Sequence, residues 1–81
     1  MKKILIYGGS SLISIELIKI INEEVDKLII FCRNEVEFKE KIKKLYLDEN
    51  KFEIKETDLE NLDNNLAKIE ALEDLKGIYW I

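Results

Sequence analysis

The chain has no histidine and no proline, and only one cysteine and three glycines among its 81 residues. Without histidine it lacks the side chain that most often serves as general acid or base near neutral pH, and a zinc site of ordinary composition is excluded. Cys32 stands alone, so no internal disulfide forms. Absence of proline, together with 47% hydrophobic and 37% charged residues, argues against a disordered linker, collagen or low-complexity segment and for a folded globular domain. No apolar run approaches the roughly 18 residues that a bilayer requires. Met1-Lys2-Lys3 passes straight into a short apolar run with no small-residue cleavage site, so a cytoplasmic protein without a membrane partner is expected. A net charge of -4 leaves no basic footprint for general nucleic-acid binding. The length allows one small domain, residues 1–81, which buries only about 60 to 65% of its unfolded surface and is marginally stable.

What is present is organised around Lys3 to Ile21. Ile4 to Tyr7 is an apolar run too short for a helix; it breaks at Gly8-Gly9 and gives way after Ser10-Ser11 to a pattern of helical type. This predicts a strand, a tight turn and a helix over about Ser11 to Asn22. Leu12, Ile13, Ile15, Leu17, Ile18, Ile20 and Ile21 leave only Glu16, Lys19 and Glu23 polar, so that helix must be covered on more than one side. Leu28 to Cys32 is continuously apolar, as a central parallel strand buried on both faces would be. Asn34 with Glu37 resembles a capping box for a second, amphipathic helix, in which Phe38, Ile42, Leu45 and Tyr46 face inward and the lysines face solvent. Asn50 suits a left-handed stop. Phe52 to Thr57 alternates, predicting a half-exposed edge strand. Leu62, Leu66, Ile69, Leu72 and Leu75 predict a third helix over about Asn61 to Leu75, stopped by Lys76-Gly77, and Gly77 to Ile81 starts a fourth strand. Strands separated by helical crossovers pair in parallel. The expected fold is α/β, half of a doubly wound sheet of order 3-2-1-4, with a ligand crevice at the C-terminal strand ends where the order reverses.

Three positions lie at such ends. Gly8-Gly9-Ser10-Ser11 either cradles a pyrophosphate through backbone amides and serine hydroxyls or simply turns a strand into a helix; its place between a strand and a helix start favours the first. Arg33 follows the second strand, where an acidic residue would bind a ribose 2′-hydroxyl and an arginine pairs instead with a 2′-phosphate; the other reading is a solvated surface arginine. Asp58 either accepts a hydrogen bond from an adenine amino group or compensates the free amides of the next helix. Cys32 reads as a small buried hydrophobe, and Tyr7, Tyr79 and Trp80 as packing residues.

Lys3 to Ser14, Ile29-Ile-Phe-Cys-Arg-Asn34 and Glu56-Thr-Asp-Leu59 together resemble the N-terminal half of a short-chain dehydrogenase/reductase, a family that binds NAD(H) or NADP(H) on a Rossmann fold through a Thr-Gly-x-x-x-Gly-x-Gly turn. The resemblance implies that Gly8 is the first glycine, that Ser10 and Ser11 lie in the stretch holding the adenosine phosphates, that Arg33 is the arginine of NADP-preferring members and that Asp58 contacts adenine. The threonine position is Tyr7, and the second and third glycines are Leu12 and Ser14. The implied cofactor site comprises Gly8, Gly9, Ser10, Ser11, Leu12, Ile13, Arg33, Asn34, Asp58 and Leu59, with NADP as cofactor and NAD less favoured. The family's Asn-x-Ala-Gly segment, catalytic serine and Tyr-x-x-x-Lys pair follow the fourth strand and have no counterpart in these 81 residues, so no catalytic or metal-binding residue is assigned. The expected activity is cofactor binding within an oxidoreductase; the alternative is a non-enzymatic interaction module or truncated remnant that self-associates through an open fourth strand. A third arrangement, a phosphoacceptor domain of flavodoxin-like topology, would use Asp58, but the first strand lacks the acidic pair that would hold a divalent cation.

Overall fold

Alternating short apolar runs and helical repeats resolve into seven main elements. The computed structural model describes residues 2–8, 12–72 and 75–80. The chain runs β1 (Lys3–Tyr7), α1 (Leu12–Ile21), β2 (Lys27–Cys32), α2 (Glu35–Lys44), β3 (Phe52–Glu56), α3 (Leu62–Glu70) and β4 (Leu75–Trp80), with a short 3-10 turn at Glu49–Lys51 before β3. All pairings are parallel and the order is β3-β2-β1-β4, the expected half of a doubly wound, Rossmann-like sheet. The flavodoxin-like order would place β3 beside β1, and the pairing of β3 with β2 excludes it.

The pleat of β1 and β2 divides the core between two faces. Ile4, Ile6, Leu28, Ile30 and Cys32 face α1 and α2, where Ile18, Ile21, Phe38 and Ile42 cover them. Leu5, Tyr7, Ile29 and Phe31 face the other way and pack with Ile69 of α3. Both strands are therefore apolar without alternation, because both of their faces are covered. β3 is partly exposed along its length and forms one edge. Its charged side chains form loose surface pairs, Lys27–Glu53 at 4.0 Å and Lys55–Glu53 at 3.9 Å.

Several local expectations are corrected. α3 ends at Glu70, not Leu75, and Lys76-Gly77 lies inside β4. Its buried face is Asn65 and Ile69, while Leu62 and Leu66 are exposed; the leucine repeat lies one flank away from the face that packs. Tyr46 is 95% exposed and leaves α2 with φ 56°, so the left-handed residue after that helix is Tyr46, whereas Asn50 lies in the 3-10 turn. On α1, Leu12, Ile13 and Ile20 are exposed, so among the described residues the helix is covered on one side. The Asn34 cap holds: its side chain accepts from the Glu37 amide at 3.0 Å. The lysines of α2 are solvated and partly paired at i,i+4, Lys39–Glu35 at 3.0 Å and Lys41–Glu37 at 3.2 Å.

Candidate functional site

β1 ends at Tyr7, and Gly8 then takes φ 96°, a left-handed conformation that a side chain disfavours. Its amide donates to the Phe31 carbonyl at 2.9 Å, so the chain stays in the plane of the sheet for one residue beyond the strand before it turns. Ser14, fully buried in the first turn of α1, donates from Oγ to the Gly8 carbonyl at 2.6 Å. Ser14 therefore ties the helix to the turn. Gly9, Ser10 and Ser11 lie outside the described residues. Leu12 opens α1 with its side chain exposed, lining a shallow depression with Ile15, with Lys41 and Lys44 of α2 and with Leu45, which caps that helix. Ile13 is exposed on the opposite flank of the helix.

Arg33 follows β2 directly and is exposed. No hydrogen bond or ion pair among the described residues engages its guanidinium. Its neighbours are acidic: the Glu35 amide at the start of α2 donates to Glu56 Oε1 at 3.1 Å, and Glu37 sits in the same turn. Asn34 spends its side-chain oxygen on the cap. The Glu35 and Glu37 amides at the start of α2 are thus already engaged, and the Arg33 guanidinium is the positive group there that an anion could meet. Burial raises the pKa of the adjacent Cys32 thiol, the Asn34 amide lowers it in part, and the charges of Glu35, Glu56 and Glu37 raise it further. Cys32 is an inert core residue.

After β3 the backbone continues the sheet pattern through Thr57, whose amide donates to the Cys32 carbonyl at 2.9 Å. Asp58 is exposed and its carboxylate accepts from the Glu60 amide at 3.0 Å, so it compensates free amides of the turn before α3. Leu59 is half-buried against the Leu5–Phe31 face.

A network centred on Asn65 holds this loop. Asn65 Nδ2 donates to Tyr7 Oη at 2.7 Å and to the Asp58 carbonyl at 2.8 Å, and its Oδ1 accepts from Thr57 Oγ1 at 2.8 Å. Tyr7 Oη in turn donates to the Leu59 carbonyl at 2.6 Å. The end of β1 and the loop after β3 are thus joined through side chains that are fully satisfied, which is the condition under which a buried polar group stabilises rather than costs. From sequence alone Tyr7 reads as a packing residue, and Asn65 does not stand out. The available signal was an asparagine four residues before Ile69 in a helix whose inward side is otherwise apolar.

The structure therefore brings Gly8, Arg33, Asn34, Asp58 and Leu59 to adjacent loops at the C-terminal ends of β1, β2 and β3, where the strand order reverses beside β1. A cleft of about 500 Å³ lies elsewhere, between α2 and β3, floored by Ile42, Phe52 and Ile54 and rimmed by Lys39, Lys43, Glu35 and Glu49. No group of histidine, cysteine, aspartate and glutamate suited to a metal ion occurs among the described residues. No described helix is long and apolar enough to cross a membrane. Comparison with family models, with curated proteins and with solved structures finds no match.

Proposed function

We propose that the chain is the dinucleotide-binding portion of an oxidoreductase resembling the short-chain dehydrogenases/reductases, acting in the cytoplasm, and that it binds NADP(H) in preference to NAD(H). The observation that carries this reading is the left-handed Gly8 turn. It joins a central strand to a helix at the switch point of a doubly wound sheet, where a helix N-terminus attracts phosphate. Support for the adenosine end comes from the Asn65 network, which holds Asp58 and Leu59 in place before any ligand arrives and so lowers the ordering cost of binding. The preference for the 2′-phosphate rests on Arg33 at the end of β2, set against the acidic Glu35 and Glu37 at the start of α2 and Glu56 at the end of β3. Discrimination is accordingly modest, about tenfold or roughly 1.4 kcal/mol.

The test is a fluorescence titration with NADPH and NADH on the purified chain and on Arg33→Ala. Saturable binding by the native chain, tighter for NADPH, with the difference abolished by Arg33→Ala, is the expected result. Absence of binding by a chain whose circular dichroism shows it folded would remove the cofactor from this polypeptide.

A further inference from the structure

The two edges of the sheet are built differently. β3 carries Glu53, Lys55 and Glu56, the kind of charged edge that discourages pairing. β4 carries no charge from Gly77 to Trp80, and among the described residues no strand lies outside it. The layers above and below that edge are apolar too. On one face, α1 turns its Leu12/Ile15 flank toward α2, so its opposite flank, with Ile13 at 69% and Ile20 at 72% exposure, lies on the β4 side. On the other face, α3 turns Asn65 and Lys68 toward Thr57, so exposed Leu62 and Leu66 lie on the β4 side as well. Ile78, Tyr79 and Trp80 occupy the edge between, at 38 to 51% exposure.

We infer that this edge pairs with a second copy of the chain, antiparallel across a twofold axis through Ile78, making one continuous sheet of order 3-2-1-4-4-1-2-3. Three features select a copy of the same chain. A register centred on Ile78 sets Gly77 opposite the partner copy's Tyr79 on the α1 face, twice by symmetry. A Cβ at Gly77 would meet nothing within 4 Å, so the space an aromatic ring needs to cover that glycine is open. Second, Gly77 and Tyr79 pair with Ile4 and Ile6 of β1, which places both on the same face, as that cross-strand contact requires. Third, the area suffices. At roughly 200 Å² for a large side chain, the exposed parts of these seven apolar residues amount to on the order of 700 Å², close to the ~800 Å² per partner of a standard interface.

The register gives a decisive test. Residues directly opposite in an antiparallel pair have Cα atoms about 4.5–5.5 Å apart, within the span of a disulfide. Ile78→Cys, oxidised with oxidised glutathione, is expected to form a covalent dimer bridged 78 to 78, while the native chain, whose Cys32 is buried, forms none. In sedimentation equilibrium the native chain is expected to be a dimer at tens of micromolar. Ile78→Glu and Ile78→Lys are each expected to be at least tenfold weaker in self-association, and their mixture to recover the dimer. Circular dichroism checks that each variant folds. A native chain that stays monomeric at 100 µM overturns the proposal and leaves the edge to a different polypeptide. A dimer without the 78–78 bridge, or open-ended association, overturns it equally by assigning another surface. None of these outcomes depends on whether the chain binds NADPH.

Discussion

Asn65 makes more of the site than any other described side chain, since it touches Tyr7, Thr57 and the backbone of Asp58 at once. Replacing it with leucine keeps the branched shape, with somewhat more bulk, but leaves the Asp58 carbonyl and Thr57 hydroxyl short of a partner in a closed environment. The expected cost is about 2–3 kcal/mol in urea unfolding, a large share of what so small a domain has. Tyr7→Phe removes one hydroxyl from the same network and should cost about 1–1.5 kcal/mol, with NADPH binding weakened further because Leu59 loses its anchor. A smaller loss for Asn65→Leu than for Tyr7→Phe would show that the network is not centred where its geometry places it. Cys32 yields a pH prediction. Its folded pKa is raised above the ordinary 9.0, so the folded state holds the proton more tightly than the unfolded one. That contribution to stability is fully present below pH 9 and is lost as pH rises from there through the folded value. Urea unfolding between pH 8 and 10.5 should show a decline that Cys32→Ala reduces.

At the scale of elements, α2 depends on its cap. Asn34→Ala is expected to cost about 1 kcal/mol in thermal unfolding, because the Glu37 amide loses its acceptor. A cost near zero would mean that Glu56 and water suffice at that helix end. This cap was legible in the sequence because Asn34 and the helix it starts are local to one another. The strands β1 and β2 were legible for a similar reason: each is covered on both faces, so burial writes itself as an unbroken apolar run. α3 was misjudged because Leu72 and Leu75 continue the apolar spacing of Leu62, Leu66 and Ile69 past the end of the helix. Leu75 in fact packs from β4 onto the same face that Ile69 covers. Spacing cannot tell one helix from a helix and a strand that bury their leucines in one core. Asn65 was missed because a polar residue in an apolar stripe becomes informative only when its partners, Tyr7 and Thr57, are known, and both are distant in sequence or on another element.

For the whole molecule, parallel pairing followed from crossover lengths, since parallel strands need helical connections, whereas the order β3-β2-β1-β4 followed from reading the Gly8 turn as that of a dinucleotide-binding sheet, because a flavodoxin-like order meets the same lengths. Placing Gly8, Arg33 and Asp58 at one end of the sheet followed from that order. How α1 and α3 turn their apolar flanks toward β4 did not, because the stripe on α1 runs nearly all the way round and only packing shows which part is left uncovered. The proposed dinucleotide site is made by the loops at the C-terminal ends of β1, β2 and β3. The most direct measurement is amide chemical-shift mapping of the isotope-labelled chain during titration with NADPH. Saturable shifts concentrated at Gly8, Leu12, Ile13, Arg33, Asn34, Asp58 and Leu59 are expected. Shifts concentrated instead at Lys39, Lys43, Phe52 and Ile54 would place the ligand in the cleft between α2 and β3, and no shifts at millimolar NADPH would rule out a dinucleotide site on this chain.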